Sequence, residues 1–128
     1  MDSSLEMHKR IVREFYEMAF NQKKPEEAAA RYLGKTYRQH NPLFADGPQA
    51  FVAAVNGWVS ANPTLHFDFK RLICEGDLVV VHSQLTMSPE DRGSAVMDIF
   101  RLEDGKIAEH WDVLQQIPDS SANGNTMF

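Results

Sequence analysis

A chain of 128 residues, with 43% hydrophobic and 24% charged side chains, is long enough to bury one core and short for two. Its formal net charge of -5 and scattered Lys and Arg argue against a nucleic-acid surface, because phosphate binding depends on clustered cations. The single cysteine, Cys74, excludes an internal disulfide, and no charged start followed by an apolar run marks a leader or membrane span, so the expected setting is reducing and cytoplasmic.

From Leu5 to Asn21, the residues Leu5, His8, Ile11, Val12, Phe15, Met18 and Ala19 recur at spacings of three and four. That period predicts an amphipathic helix with Ser4 as N-cap. Pro25 followed by Glu26 and Glu27 opens a shorter helix through Tyr32, since proline suits a first turn and acids its positive end; Gly34 ends it. Thr36 to His40 reads as a short extended piece stopped by Asn41-Pro42. Asp46-Gly47-Pro48 begins a third helix through Ser60, with Phe51, Val52, Val55 and Val59 as its buried stripe.

After Pro63 the apolar period drops to two. Thr64 to Ile73, Leu78 to Met87, Ser94 to Leu102 and Lys106 to Ile117 read as four strands in an antiparallel meander. Helices first and a curved sheet afterwards is an α+β pattern, with three N-terminal helices packed on one sheet face. Residues 1–117 form the domain and 118–128 a polar tail, whose closing Met127-Phe128 could dock on it.

The last hairpin carries the chemistry. A three-residue loop, Glu103, Asp104 and Gly105, pairs Leu102 with Lys106, which sets Asp98 directly opposite His110 with Asp112 on the same face. A two-residue Asp104-Gly105 turn would instead pair Asp98 with Trp111 and separate Asp98 from His110 and Asp112. The first register is preferred because it gives the acids a partner.

The helix order, the Tyr37-Arg38-Gln39-His40-Asn41-Pro42 segment, the helix ending near Trp58, Gly76-Asp77-Leu78-Val79-Val80-Val81-His82, Asp98-Ile99-Phe100-Arg101 and His110-Trp111-Asp112-Val113 together resemble the SnoaL-like proteins. These belong to the cone-shaped α+β barrel group that includes nuclear transport factor 2 and ketosteroid isomerase. The resemblance implies a curved antiparallel sheet around a deep pocket, a frequent homodimer and, as in characterised polyketide cyclases, an aspartate acid/base that drives an aldol condensation without a cofactor. Asp112 matches that aspartate. The cyclases' partner histidine falls at Asp98, a departure from the pattern.

The expected function is therefore cofactor-independent acid/base chemistry (aldol-type cyclase, lyase or isomerase) on a small to medium hydrophobic carbonyl compound. A non-catalytic binding module and epoxide-hydrolase-like hydrolysis are the alternatives. Asp112 is the expected base, because a carboxylate in an apolar pocket loses hydration and its pKa rises; its dull role is a structural aspartate. Asp98 and His110 form a dyad in which the carboxylate orients the imidazole, or a cross-strand polar pair that only stabilises the hairpin. His82 and His40 are candidates for the pocket mouth. Asn41 offers a neutral donor to an oxyanion or else merely makes the turn before Pro42, and Tyr16 and Trp58 line the cavity from the helices or belong to the core. His110-x-Asp112 is half of a facial triad for iron, but no histidine follows His110, and the expectation is no metal. With Asp98, His110 and Asp112 inward, Met97, Ile99, Trp111 and Val113 point outward, which predicts a homodimer through the outer sheet face.

Overall fold

The computed structural model describes residues 3–128. Helix α1 (Ser4–Tyr16) is started by Ser3, whose Oγ accepts a hydrogen bond from the Glu6 N–H at 3.1 Å. The cap lies one residue ahead of Ser4, because the capping residue stands outside the helix while its oxygen reaches the third helical N–H. Val12, Phe15 and Tyr16 form the buried stripe of α1. The following turn, Glu17–Asn21, widens into a π-helix that buries Ala19 and Phe20. Asn21 pins this end to the sheet: its Nδ2 donates to the Phe67 carbonyl at 3.0 Å and its Oδ1 accepts from the Phe67 N–H at 2.8 Å. Tyr16 is thereby held over the sheet, its ring centroid 4.9 Å from that of Phe67.

Helix α2 (Pro25–Tyr32) passes straight into strand β1 (Leu33–Gln39), so Gly34 lies within the strand. The connection after β1 folds back on it. Asp46 Oδ1 accepts from the Gln39 N–H at 2.7 Å and the Gly47 N–H donates to the Tyr37 carbonyl at 2.8 Å. Gly47 reaches this geometry at φ 98°, a conformation that side chains resist. Helix α3 (Pro48–Ala61) then packs Phe51, Val55 and Val59 into the core.

Strands β2 (His66–Glu75), β3 (Leu78–Thr86), β4 (Ser94–Glu103) and β5 (Lys106–Gln116) form the expected meander. The sheet order is β1-β5-β4-β3-β2, and β1 runs parallel to β5, so the sheet is mixed rather than wholly antiparallel. It does not close, and the helices cover one face in a cone-like α+β arrangement. Phe67, Val79, Val81, Leu85, Val96, Phe100 and Ile107 are buried on that inner face. Each such side chain contributes about 1.5–3 kcal/mol on removal from water. Among the described residues, no helix is long and apolar enough to cross a membrane. Beyond β5, Phe128 returns to the outer face, its ring centroid 5.4 Å from that of His82 and under Lys70 Nζ at 5.0 Å.

The β4–β5 hairpin turns on two residues, not three. Asp104 and Gly105 both have positive φ, 53° and 77°, and Glu103 pairs with Lys106. Continued unchanged, that register would oppose Asp98 to Trp111 and put it on the wrong face. A bulge corrects the count: Leu102 pairs with Ile107 but Arg101 with Glu109, so Ala108 is the extra residue. Beyond it Phe100 pairs with His110 and Asp98 with Asp112. Asp98, His110 and Asp112 thus share the inner face as expected, but Asp98 is opposite Asp112 and diagonal to His110.

Candidate active site

Asp98 is wholly buried and His110 is 4% exposed, beneath helix α1. The imidazole packs on Phe100, centroid to centroid 4.7 Å. Its Nε2 lies 2.7 Å from Asp98 Oδ1, and the Tyr16 hydroxyl donates to the same oxygen at 2.6 Å. On the other side, His110 Nδ1 lies 2.7 Å from Gln39 Oε1. Gln39 is the parallel cross-strand partner of His110, and its Oε1 also accepts the His40 and Asn41 N–H groups, each at 3.1 Å. Those backbone donors fix the amide with its oxygen toward the ring. Nδ1 must therefore carry a hydrogen, and the exchangeable proton of the Asp98–His110 pair sits between Nε2 and Oδ1.

Asp112 is partly buried. Its Oδ1 accepts from Asn41 Nδ2 at 3.0 Å and its Oδ2 lies 3.9 Å from His110 Nε2. Lost hydration raises its pKa above the ordinary carboxylate value, and the charge of Asp98 pushes the same way; the opposing pull of His110 and the Asn41 hydrogen bond does not cancel the rise. Burial, with the neighbouring Asp98 charge, likewise holds the Tyr16 phenol well above its usual range, so Tyr16 stays a donor. Asn41 Oδ1 accepts from the Leu43 N–H at 2.9 Å, so this residue both makes the turn and reaches Asp112.

These groups open on a narrow cavity between the sheet and the helices. Tyr16, Tyr37, Phe67, Phe44 and Trp58 are among its walls, with Asp98, His110 and Asp112 along one side. Phe44 and Trp58 meet edge to face at 5.6 Å.

The structure brings Asp98, His110, Asp112, Tyr16 and Trp58 together around this space, and Asn41, behind that lining, meets it through its hydrogen bond to Asp112. It does not bring His82 or His40 there. His82 projects from β3 on the outer face, opposite Met97, where Arg71 donates to its Nδ1. Strand alternation accounts for this, since Val81 and Ser83 take the inward positions. His40 stacks on Trp111 at 4.8 Å and contacts Glu109 at 2.6 Å, also outside. Gln39 and Tyr37 are site residues that the sequence reading left unassigned. Their alternation along β1, Tyr37 and Gln39 inward and Arg38 outward, was the available signal. Among the described residues, Asp98, His110 and Asp112 are also the group able to hold a metal ion, with ligand atoms within 4.8 Å of one another.

A model of the SnoaL-like domain matches residues 12–110. No curated protein matches the sequence. Among solved structures, TsrD from Streptomyces laurentii is similar at 26% identity, with 89% of this chain and 90% of that one covered and a TM-score of 0.69. A candidate polyketide cyclase from Acidithiobacillus ferrooxidans has 17% identity, coverage of 84% and 87%, and a TM-score of 0.70. A candidate ketosteroid isomerase from Kribbella flavida has 17% identity, coverage of 93% and 85%, and a TM-score of 0.72. At such identities the last two show the shared fold alone.

Proposed function

Because the chain belongs to the SnoaL-like domain family, we propose that it is a cofactor-independent acid/base enzyme, an aldol-type cyclase, lyase or isomerase, for a small to medium carbonyl compound. One observation carries this reading: Asp112, its pKa raised by lost hydration, stands on the wall of an apolar cavity with Oδ2 3.9 Å from His110 Nε2. As a carboxylate, Asp112 takes the proton from carbon beside the carbonyl. The electron pair moves to the carbonyl oxygen, and the proton that His110 Nε2 shares with Asp98 Oδ1, with Nδ1 steadied by Gln39, is the one the developing charge draws on. Return of the proton to another carbon gives an isomer; its delivery to a leaving oxygen gives elimination. Attack of the enolate carbon on a second carbonyl closes a ring, and the alkoxide so formed takes back the proton held by Asp112.

The test is solvent deuterium exchange into candidate ketones. The wild type exchanges the α-hydrogens and Asp112→Asn does not, while the variant stays folded and is no less stable than the wild type. Ligand binding without exchange in the wild type would instead leave a binding module. The direct Asp98–Asp112 cross-strand pairing also suits hydrolysis, one carboxyl protonating an epoxide as the other activates water, and epoxide turnover is the corresponding assay.

The outer sheet face supports a further part of the reading, a homodimer. Met97, Ile99 and Val113 are 45%, 38% and 69% exposed around Trp111, an apolar strip of the kind a second copy covers.

A further inference from the structure

The charges around the cavity do not balance. Asp98 and Asp112 bring two carboxylates to its wall, and His110 is the only basic side chain among the described residues that line it; no lysine or arginine does. Even with His110 protonated, one negative charge remains in a largely aromatic space. A buried charge without a partner is costly, so the site favours whatever neutralises it.

One oxygen shows where that partner would sit. Asp98 Oδ1 is engaged by Tyr16 and His110, whereas Asp98 Oδ2, in a residue with 0% exposure, is buried without a hydrogen-bond partner. A ligand reaching it comes through the cavity that Asp98 lines. The aromatic walls add to the same preference, since ring faces attract cations and more so where water is excluded.

We propose that the ligand carries a cationic nitrogen with at least one N–H, a protonated amine or N-heterocycle, which donates to Asp98 Oδ2 while its apolar body extends toward Trp58. This rests on the proposed reading of the cavity as the substrate site and narrows the substrate to carbonyl compounds bearing a basic nitrogen. If a bound proton alone balanced the two carboxylates, the cavity would be indifferent to a ligand's charge.

Three probes of similar shape separate these cases: benzylamine, benzyl alcohol and benzoate, titrated at neutral pH while the NMR signals of the Trp58 and His110 rings are followed. The expected order is benzylamine tighter than the alcohol by about tenfold, with benzoate weakest. Asp98→Asn should bring the amine to the level of the alcohol. Should that variant not fold, nuclear Overhauser contacts in the wild type locate the amine, and its methylene should lie near the Tyr16 and His110 rings. Equal affinity for amine and alcohol, tighter binding of benzoate, contacts confined to the outer face, or no binding of benzylamine up to its solubility limit would each overturn the proposal. The titration needs no turnover. A protein that prefers the amine yet exchanges no ketone hydrogens keeps this inference and loses the enolate chemistry, and exchange of neutral ketones without amine preference does the reverse.

Discussion

Gln39 holds His110 in a single tautomer: its Oε1 stands 2.7 Å from Nδ1 while two backbone N–H groups prevent the amide from turning over. Nε2 is left as the nitrogen that exchanges protons. Nitrogen-15 spectra of the imidazole should show a protonated, slowly exchanging Nδ1 in the wild type. Gln39→Met should lose that signature and lower kcat by about tenfold with little change in KM, the worth of about 1.4 kcal/mol of hydrogen bonding. Gln39→Glu keeps an acceptor and should preserve the tautomer.

The acid limb of any pH–rate profile should lie above the unperturbed aspartate value of 3.8, because Asp112 must ionise to act and its pKa is raised. Asn41→Ala removes a hydrogen bond that favours the carboxylate, so the limb moves to higher pH. Asp98→Asn removes a neighbouring negative charge and shifts it lower.

Stability carries the same titration with a definite sign. Asp112 binds its proton more tightly in the folded chain than in the unfolded one, so its favourable contribution is complete below about 3.8 and is lost as pH rises through the folded value. Asp112→Asn, which cannot ionise, should gain stability relative to the wild type across that window. Urea unfolding at a series of pH values measures it; a flat difference would contradict the assignment.

Removal of one member of the Asp98–His110 pair strands a buried polar group. Asp98→Ala and His110→Ala should each cost about 3–5 kcal/mol, and the double variant should lose clearly less than their sum. Additive losses in denaturant would mean that the two groups do not stabilise each other.

In sedimentation at micromolar concentration the chain should move as a dimer, and Trp111→Asp should dissociate it by placing a charge in the apolar strip. A wild type found only at 14.6 kDa would remove the dimer.

The succession of elements was legible because its signals are local: Pro25 and Pro48 at first helical turns, and the switch of apolar period after Pro63. The inward trio was legible as well, though by a register that the chain does not use. Its two-residue turn and bulge are set jointly by the Asp104-Gly105 backbone and the partners on both sides of β5, and a bulge of this kind leaves no period of its own in sequence. The parallel placement of β1 against β5 is a non-local pairing that strand patterns do not encode, and with it went Gln39. His40 and His82 were misplaced because a histidine beside an apolar run looks alike on either face until alternation is counted from a known inward residue.

The bulge at Ala108 makes the hairpin a counting device. Lengthening or shortening the segment between Gly105 and His110 by one residue would exchange the two faces of β5, sending the imidazole and Asp112 outward and drawing Trp111 in; a change of two would preserve facing and cost only alignment along the strand. Loop grafts and insertions in this hairpin should therefore be tolerated by parity rather than by size, and relatives that lack the bulge can keep an inward aspartate only by altering the turn by an odd number of residues.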